Sequence, residues 1–244
     1  MLLHRVAGIA ENRSSSMPNW QGTGSGCVPR RVGALNLRIT EMKKRLAGSI
    51  ALGTLVALAS AMPAFAALGP GVTAPAFTAK ASQAGKDFTF SLADALRKGP
   101  VVVYFYPSAY TGGCDLEAHT FAVNRDKFDA AGATIIGVSA DSIERLHVFS
   151  ADPNYCAGKF PVASDTDVKI ALAYDLKAVP SQPGMNDVRG VAIDHAFIPR
   201  TTFVIGRDGK IVAALSSDTD HLRPDEHVKR SLAIVQHLQA GKTP

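Results

Sequence analysis

The chain has 244 residues, 46% of them apolar, with 26 Lys/Arg against 21 Asp/Glu, a formal charge of +5. This length buries a substantial core in one domain. The charge excludes less than it suggests. Eight basic and two acidic residues precede residue 67, leaving 18 of the 26 bases and 19 of the 21 acids in 67–244. The excess positive charge therefore belongs to the leader, and no basic face is expected for nucleic acid.

Residues 1–41 are Ser/Gly/Arg-rich without periodicity. They read as a non-native or disordered extension ahead of the true start at Met42. The segment 42–66, MKKRLAGSIALGTLVALASAMPAFA, has three basic residues, an apolar run and Ala64-Phe65-Ala66 at its end. That is the layout of a secretory signal peptide with its cleavage site. The alternative, an uncleaved anchor, is disfavoured because a span needs about 20 apolar residues. Export places 67–244 in the periplasm, with no stable membrane association after cleavage. Cys114 and Cys156 then lie where disulfides persist, as a structural bridge or a working redox pair.

Along 67–99 the sequence predicts an irregular entry and short strands, with Phe88-Thr89-Phe90 the clearest. Ser91 caps a short helix through Leu96. Residues 100–106, PVVVYFY, form a continuous apolar and β-branched run, the mark of a buried central strand. From Cys114 a helix carries Ala118, Phe121 and Phe128 at helical spacing and ends at Gly132. A second buried strand follows at 133–140, and Asp141-Ser142 caps a helix of about ten residues or more. Residues 165–174 predict a short helix with Val168, Ile170 and Leu172 on its apolar face. The Pro-, Gly- and Asp-rich 178–197 reads as a long surface loop, bordering the site because it feeds into Arg200. Strands at 200–205 and 210–216 are joined by Gly-Arg-Asp-Gly, a hairpin signal. A final amphipathic helix starts at Pro224-Asp225 and presents Val228, Leu232, Val235 and Leu238. Early βαβ alternation with a late hairpin gives a thioredoxin-like α/β fold: a central mixed sheet flanked by helices.

Cys114 lies where a buried strand gives way to a helix, and free N–H groups there favour a thiolate. Asp115 and Glu117 oppose that charge, so a cation is required; Arg200 is the candidate. Thr111, three residues before the cysteine, suits a polar oxygen substrate where a disulfide exchanger would place a second sulfur. Pro107 stops the strand and shields the pocket. Thiolate, hydroxyl, backbone N–H and arginine together hold two bonded oxygens, with attack on one and charge stabilised on the other. His119, His147, His195, His221, His227 and His237 lack ligand spacing and read as surface or packing residues, so no metal is expected.

The stretch Pro107-Ser108-Ala109-Tyr110-Thr111-Gly112-Gly113-Cys114 resembles the P-x-x-x-T-x-x-C signature of peroxiredoxins. Phe105-Tyr106 and Glu117 are similar to the bacterioferritin-comigratory, or Q-type, branch. Arg200-Thr201-Thr202-Phe203-Val204-Ile205, with Asp208-Gly209-Lys210-Ile211, resembles its arginine-bearing strand and hairpin. The resemblance implies Cys114 as peroxidatic nucleophile, Thr111 and Arg200 as peroxide-binding groups, Pro107 as shield and Glu117 as support for the arginine. It implies a thiol peroxidase for hydrogen peroxide and small organic hydroperoxides, without cofactor, recycled by a thioredoxin-like or other thiol reductant, as monomer or homodimer. His119 stands where many of the branch carry a resolving cysteine. Cys156 is then the resolving candidate, against a spectator or a static bridge to Cys114. The competing readings are a thioredoxin-like disulfide oxidoreductase, which lacks its C-x-x-C here, and a non-enzymatic redox-sensing or binding module.

Overall fold

The computed structural model describes residues 67–241; the extension 1–41 and the whole of 42–66, read as a signal peptide, lie outside the described residues. The strands are β1 (Thr78–Gln83), β2 (Lys86–Ser91), β3 (Val101–Phe105), β4 (Thr134–Ser139), β5 (Val162–Ser164), β6 (Thr201–Ile205) and β7 (Ile211–Ser216). The helices are α1 (Leu92–Lys98), α2 (Gly112–Ala130), α3 (Ile143–Ala151), α4 (Lys169–Ala173) and α5 (Pro224–Gln239). The seven strands form one sheet in the order β2-β1-β5-β4-β3-β6-β7. β3, β4 and β5 run parallel, while β6 pairs antiparallel with β3, and β1 with β5. This is the thioredoxin-like mixed sheet expected from the element order.

β3 is buried throughout because both sheet faces are covered. Its alternation divides the core. Val102 and Tyr104 pack with Phe121 of α2, Leu146 and Phe149 of α3 and Val228 and Val235 of α5. Val101, Val103 and Phe105 face Leu92 and Ala95 of α1, Ala171 of α4 and Tyr174. The Tyr104 ring stacks on Phe121 at 4.6 Å between centroids and lies across Gly137 of β4. A Cβ at Gly137 would sit 2.6 Å from that ring. Gly137→Ala is therefore expected to destabilise the fold by about 1–3 kcal/mol, read from denaturant unfolding; an unchanged midpoint would contradict the packing.

Two expectations need correction. β5 is absent from the predicted elements: three residues between Pro161 and Asp165 are too short for a periodic signal, and pairing with β4 and β1 creates the strand. α4 spans only Lys169–Ala173. Val168 precedes it in a left-handed conformation, Leu172 is exposed, and Ala171 is the buried position. Asp165 overrides the apolar pattern there, since its carboxylate accepts from Ile170 N and Ala171 N at 3.0 and 2.8 Å. In α5, by contrast, Val228 and Val235 are buried and Leu232 and Leu238 flank them, as the periodicity predicts.

Candidate active site

Tyr106 N–H still donates to Val138 O at 3.1 Å, and the half-buried Pro107 then removes the next donor and ends the pairing. The chain turns through Tyr110, whose φ of 61 is the left-handed conformation that costs a non-glycine residue about 1–2 kcal/mol. Thr111 then enters α2 in an extended conformation. As N-cap its oxygen would ordinarily accept from the first turn, but it makes no cap bond. Its hydroxyl donates to Ser108 O at 2.8 Å. Its one proton is thus committed to the backbone of the same loop, which leaves the oxygen as an acceptor. Cys114 is the third residue of α2, one turn in, and only 2% exposed.

Arg200 immediately precedes β6, which the antiparallel register with β3 carries back to this end of the sheet. Its Nη2 donates to Cys114 Sγ at 3.1 Å and its Nη1 pairs with Glu117 Oε2. One planar guanidinium thus spans thiol and carboxylate. Burial pushes the Cys114 thiol up, opposed by Arg200, Thr111 and the Ser108 backbone. Burial also works against the charge of Arg200, but Glu117 and Cys114 hold the guanidinium above its ordinary value. A Cβ on Gly113 would lie 3.1 Å from Arg200 Nη2 and 3.5 Å from Pro224 Cγ. Gly113→Ala should displace the guanidinium and slow Cys114 oxidation about tenfold, measured by stopped flow; an unaltered rate would mean Arg200 tolerates the shift.

Behind Arg200 lies a buried chain. The Ser217 hydroxyl donates to Leu222 O at 2.9 Å, so its contact with His227 Nε2 at 3.0 Å requires Nε2–H as donor. His227 Nδ1 then accepts from Thr202 Oγ1 at 3.0 Å. Burial, with Arg200 nearby, lowers His227 to about 4, which keeps the ring neutral. This histidine was read from sequence as packing, and it is wholly buried. Burial raises Glu117 to about 7, against the opposing pull of Arg200. Below that pH Glu117 is protonated; above it, the carboxylate shares the charge of Arg200. Glu117→Gln keeps the acceptor without the charge, so more of the Arg200 charge bears on the sulfur and the Cys114 thiol should titrate lower. The pH dependence of thiol alkylation checks this, and a thiol titrating at or above its wild-type pH would reject it.

Cys156 lies in the turn beyond α3, five residues past Ala151 and fully buried, in the same apolar cluster as Cys114. The two are free thiols. Burial pushes the Cys156 thiol well up, with Asp115 and Asp152 adding to it. Asp115 is itself raised to about 6 by burial, and its Oδ1 has no protein partner.

Sequence reasoning missed the polar cluster under the 107–111 loop. Asp141 is fully buried. It accepts from Ala109 N at 2.8 Å, Ser139 Oγ at 2.7 Å and Ser108 Oγ at 3.2 Å. It also pairs with Arg145 at 2.8 Å and His195 Nε2 at 2.9 Å. His195 comes from 178–197, which borders the site as anticipated, though Asp187 and Ile193 within it are buried. Nothing local marks Asp141; a carboxylate after a strand most often caps the next helix, and here Ser142 does so. Among the described residues no cluster of metal-ligating side chains occurs.

The pattern of the AhpC/TSA family matches residues 70–214. A Mycobacterium tuberculosis H37Rv protein, provisionally named a peroxiredoxin, is 37% identical over 147 residues, 60% of this chain and 84% of its own. The chloroplastic peroxiredoxin Q of Sedum lineare is 31% identical over 176 residues, 72% of this chain and 82% of its own. The crystal structure of peroxidoxin BcpB from Mycobacterium tuberculosis superposes with a TM-score of 0.57 at 26% identity, over 70% of this chain and 98% of that one. The chain belongs to the AhpC/TSA family and is a peroxiredoxin-type thiol peroxidase. Enzymes of this family use peroxide and a thiol reductant such as thioredoxin.

Proposed function

We propose that Cys114 reduces hydrogen peroxide and small organic hydroperoxides and that Cys156 resolves the product. The contact of Arg200 Nη2 with Cys114 Sγ carries the reading, because it sets a permanent cation against the one nucleophile at the head of α2. The Cys114 thiolate attacks one peroxide oxygen. The S–O bond forms as the O–O bond breaks, and the leaving oxygen departs as water or alcohol after taking a proton. Arg200 and the Thr111 hydroxyl hold the two oxygens, and Arg200 stabilises charge on the leaving one. Pro107 keeps bulk water out, and Glu117 holds the guanidinium. Cys156 then attacks the Cys114 sulfenic acid, releasing water and forming a disulfide that a thioredoxin-like dithiol reduces. A Xanthomonas campestris bacterioferritin comigratory protein with alkyl peroxide reduction activity matches in structure with a TM-score of 0.50 at 28% identity; this supports including alkyl hydroperoxides. The 42–66 segment supports periplasmic action after cleavage. The disulfide-oxidoreductase alternative has no second sulfur at position 111.

The test mixes the reduced full-length chain with equimolar hydrogen peroxide and follows intact mass and peptide-mapped thiols. Rapid loss of Cys114 and Cys156 thiols, with the mass falling by two hydrogens, is expected. Oxygen added at Cys114 while Cys156 stays reduced would remove Cys156 from the cycle. Oxidation of Cys114 no faster than that of free cysteine would overturn the assignment of Cys114.

A further inference from the structure

The 178–197 segment contributes nothing to the steps above, yet its centre grips the loop that presents Cys114. Val188 N–H donates to Tyr110 O at 3.0 Å. The Arg189 guanidinium carbon lies 3.3 Å from the Tyr110 ring centroid, a close cation–π contact. Arg189 Nε and Nη2 donate to Asp187 Oδ2 at 3.0 and 2.7 Å, which fixes the plane of the guanidinium. The same oxygen takes Arg145 Nη2 at 2.8 Å, and that nitrogen also donates to Ala109 O at 3.0 Å. Asp187 Oδ1 receives Arg189 N and Val191 N at 2.8 and 3.0 Å. Asp187 is therefore a buried hub with its donors supplied.

The Tyr110 ring also connects to Cys156. It packs edge-on against Phe149 at 5.0 Å and Tyr155 at 5.4 Å. Tyr155 stacks on Phe149 at 5.4 Å and immediately precedes Cys156. The ring thus lies between Arg189 and the aromatic cluster that encloses the second thiol. Its backbone is left-handed, a conformation that persists only while surrounding contacts hold it.

We infer that Asp187 and Arg189 are positioning residues that hold Tyr110 between the two cysteine segments and so set how the Cys114 sulfenic acid divides between disulfide and further oxidation. The inference rests on the proposed roles of Cys114 and Cys156. A disulfide needs sulfurs about 2.0 Å apart, whereas the two thiols are buried and unbonded. The Tyr155–Tyr110 and Tyr110–Arg189 contacts tie the two cysteine-bearing segments in this unbonded arrangement, so movement of either segment toward the other loosens one of them. While the brace holds, the sulfenic acid persists and a second peroxide can convert it to sulfinic acid, with water or alcohol leaving. When the brace opens, Cys156 sulfur bonds to Cys114 sulfur and the hydroxyl departs as water.

The test is Arg189→Ala in the full-length chain, with Arg189→Lys and with Arg189→Ala in a Cys156→Ser background. Folding is verified by thermal unfolding, and sulfenic, sulfinic and disulfide species are followed by quenched mass spectrometry over a peroxide series. Arg189→Ala is expected to speed disulfide formation about tenfold and to raise in proportion the peroxide needed for sulfinic acid. Arg189→Lys, which keeps charge for Asp187 but loses the planar face, should fall between. Hydrogen exchange at 108–114 and 153–157 should quicken in Arg189→Ala. An unchanged division of products in a folded Arg189→Ala protein overturns the inference and leaves the peroxidase reading intact. An equal change in the Cys156→Ser background also overturns it, because Arg189 would then act on peroxide access alone. If wild-type Cys114 forms no sulfenic acid, the peroxidase reading fails and the inference fails with it.

Discussion

Arg200→Lys is expected to slow peroxide oxidation of Cys114 by about two to three orders of magnitude. A lysine ammonium is a single point on a flexible stem, whereas the guanidinium uses one nitrogen for Cys114 Sγ and another for Glu117. A lysine keeps the charge that opposes burial of the thiol but loses the fixed bond to sulfur, so that opposition weakens. The leaving oxygen also loses a donor of fixed geometry. The cost to the fold should be small, because the ammonium can still pair with Glu117 and the buried carboxyl, raised to about 7, can take a proton where that pairing is poorer. Stopped-flow oxidation beside thermal unfolding separates the two effects. A loss below tenfold, or one matched by unfolding, would show that Arg200 is not the activating group.

Asp141→Ala is expected to cost about 3–5 kcal/mol of stability. The carboxylate is fully buried and satisfies a backbone N–H, two hydroxyls, Arg145 and His195. Its removal leaves the enclosed Arg145 with Asp187 as its remaining carboxylate partner, the Ala109 N–H without an acceptor and the His195 imidazolium without its carboxylate. Denaturant unfolding measures the loss, and a cost under about 1 kcal/mol would refute the account. The pair also predicts a pH slope. Burial works against the His195 imidazolium, but Asp141 and Ala196 O outweigh it and the pKa is raised from 6.5. A raised histidine stabilises fully below its unfolded pKa and loses that contribution as pH rises through its folded value. Wild-type stability should therefore decline as pH rises above 6.5 through that titration, and Asp141→Asn should flatten the slope.

The central strand β3, the helix starting near Cys114, the hairpin and α5 were legible because each is written in local terms: a β-branched run, a turn dipeptide, a 3.6-residue period. Cys114, Thr111 and Arg200 were legible for a related reason, since the P-x-x-x-T-x-x-C spacing and an arginine at a strand start are local patterns. β5 was not, because three residues carry no period and the strand exists through its neighbours. Leu172 misled, because Asp165 binds the first amides of α4 and turns Ala171 inward. His195 and His227 were both read as ordinary, yet one joins Asp141 and Ser108 and the other connects Thr202 to Ser217.

By itself the amino-acid order determined that a lone cysteine heads a helix behind a buried strand, with a threonine three residues before it and a sheet of thioredoxin-like order. Covalent spacing and periodicity suffice for that. The sequence nominated Arg200, but only the tertiary structure brought it onto the thiol from 86 residues away and decided that Asp187 and Arg189 clasp Tyr110. Those choices depend on burial: a charge removed from water needs a partner of fixed geometry, and which partner is in reach is a property of the packed sheet and its loops.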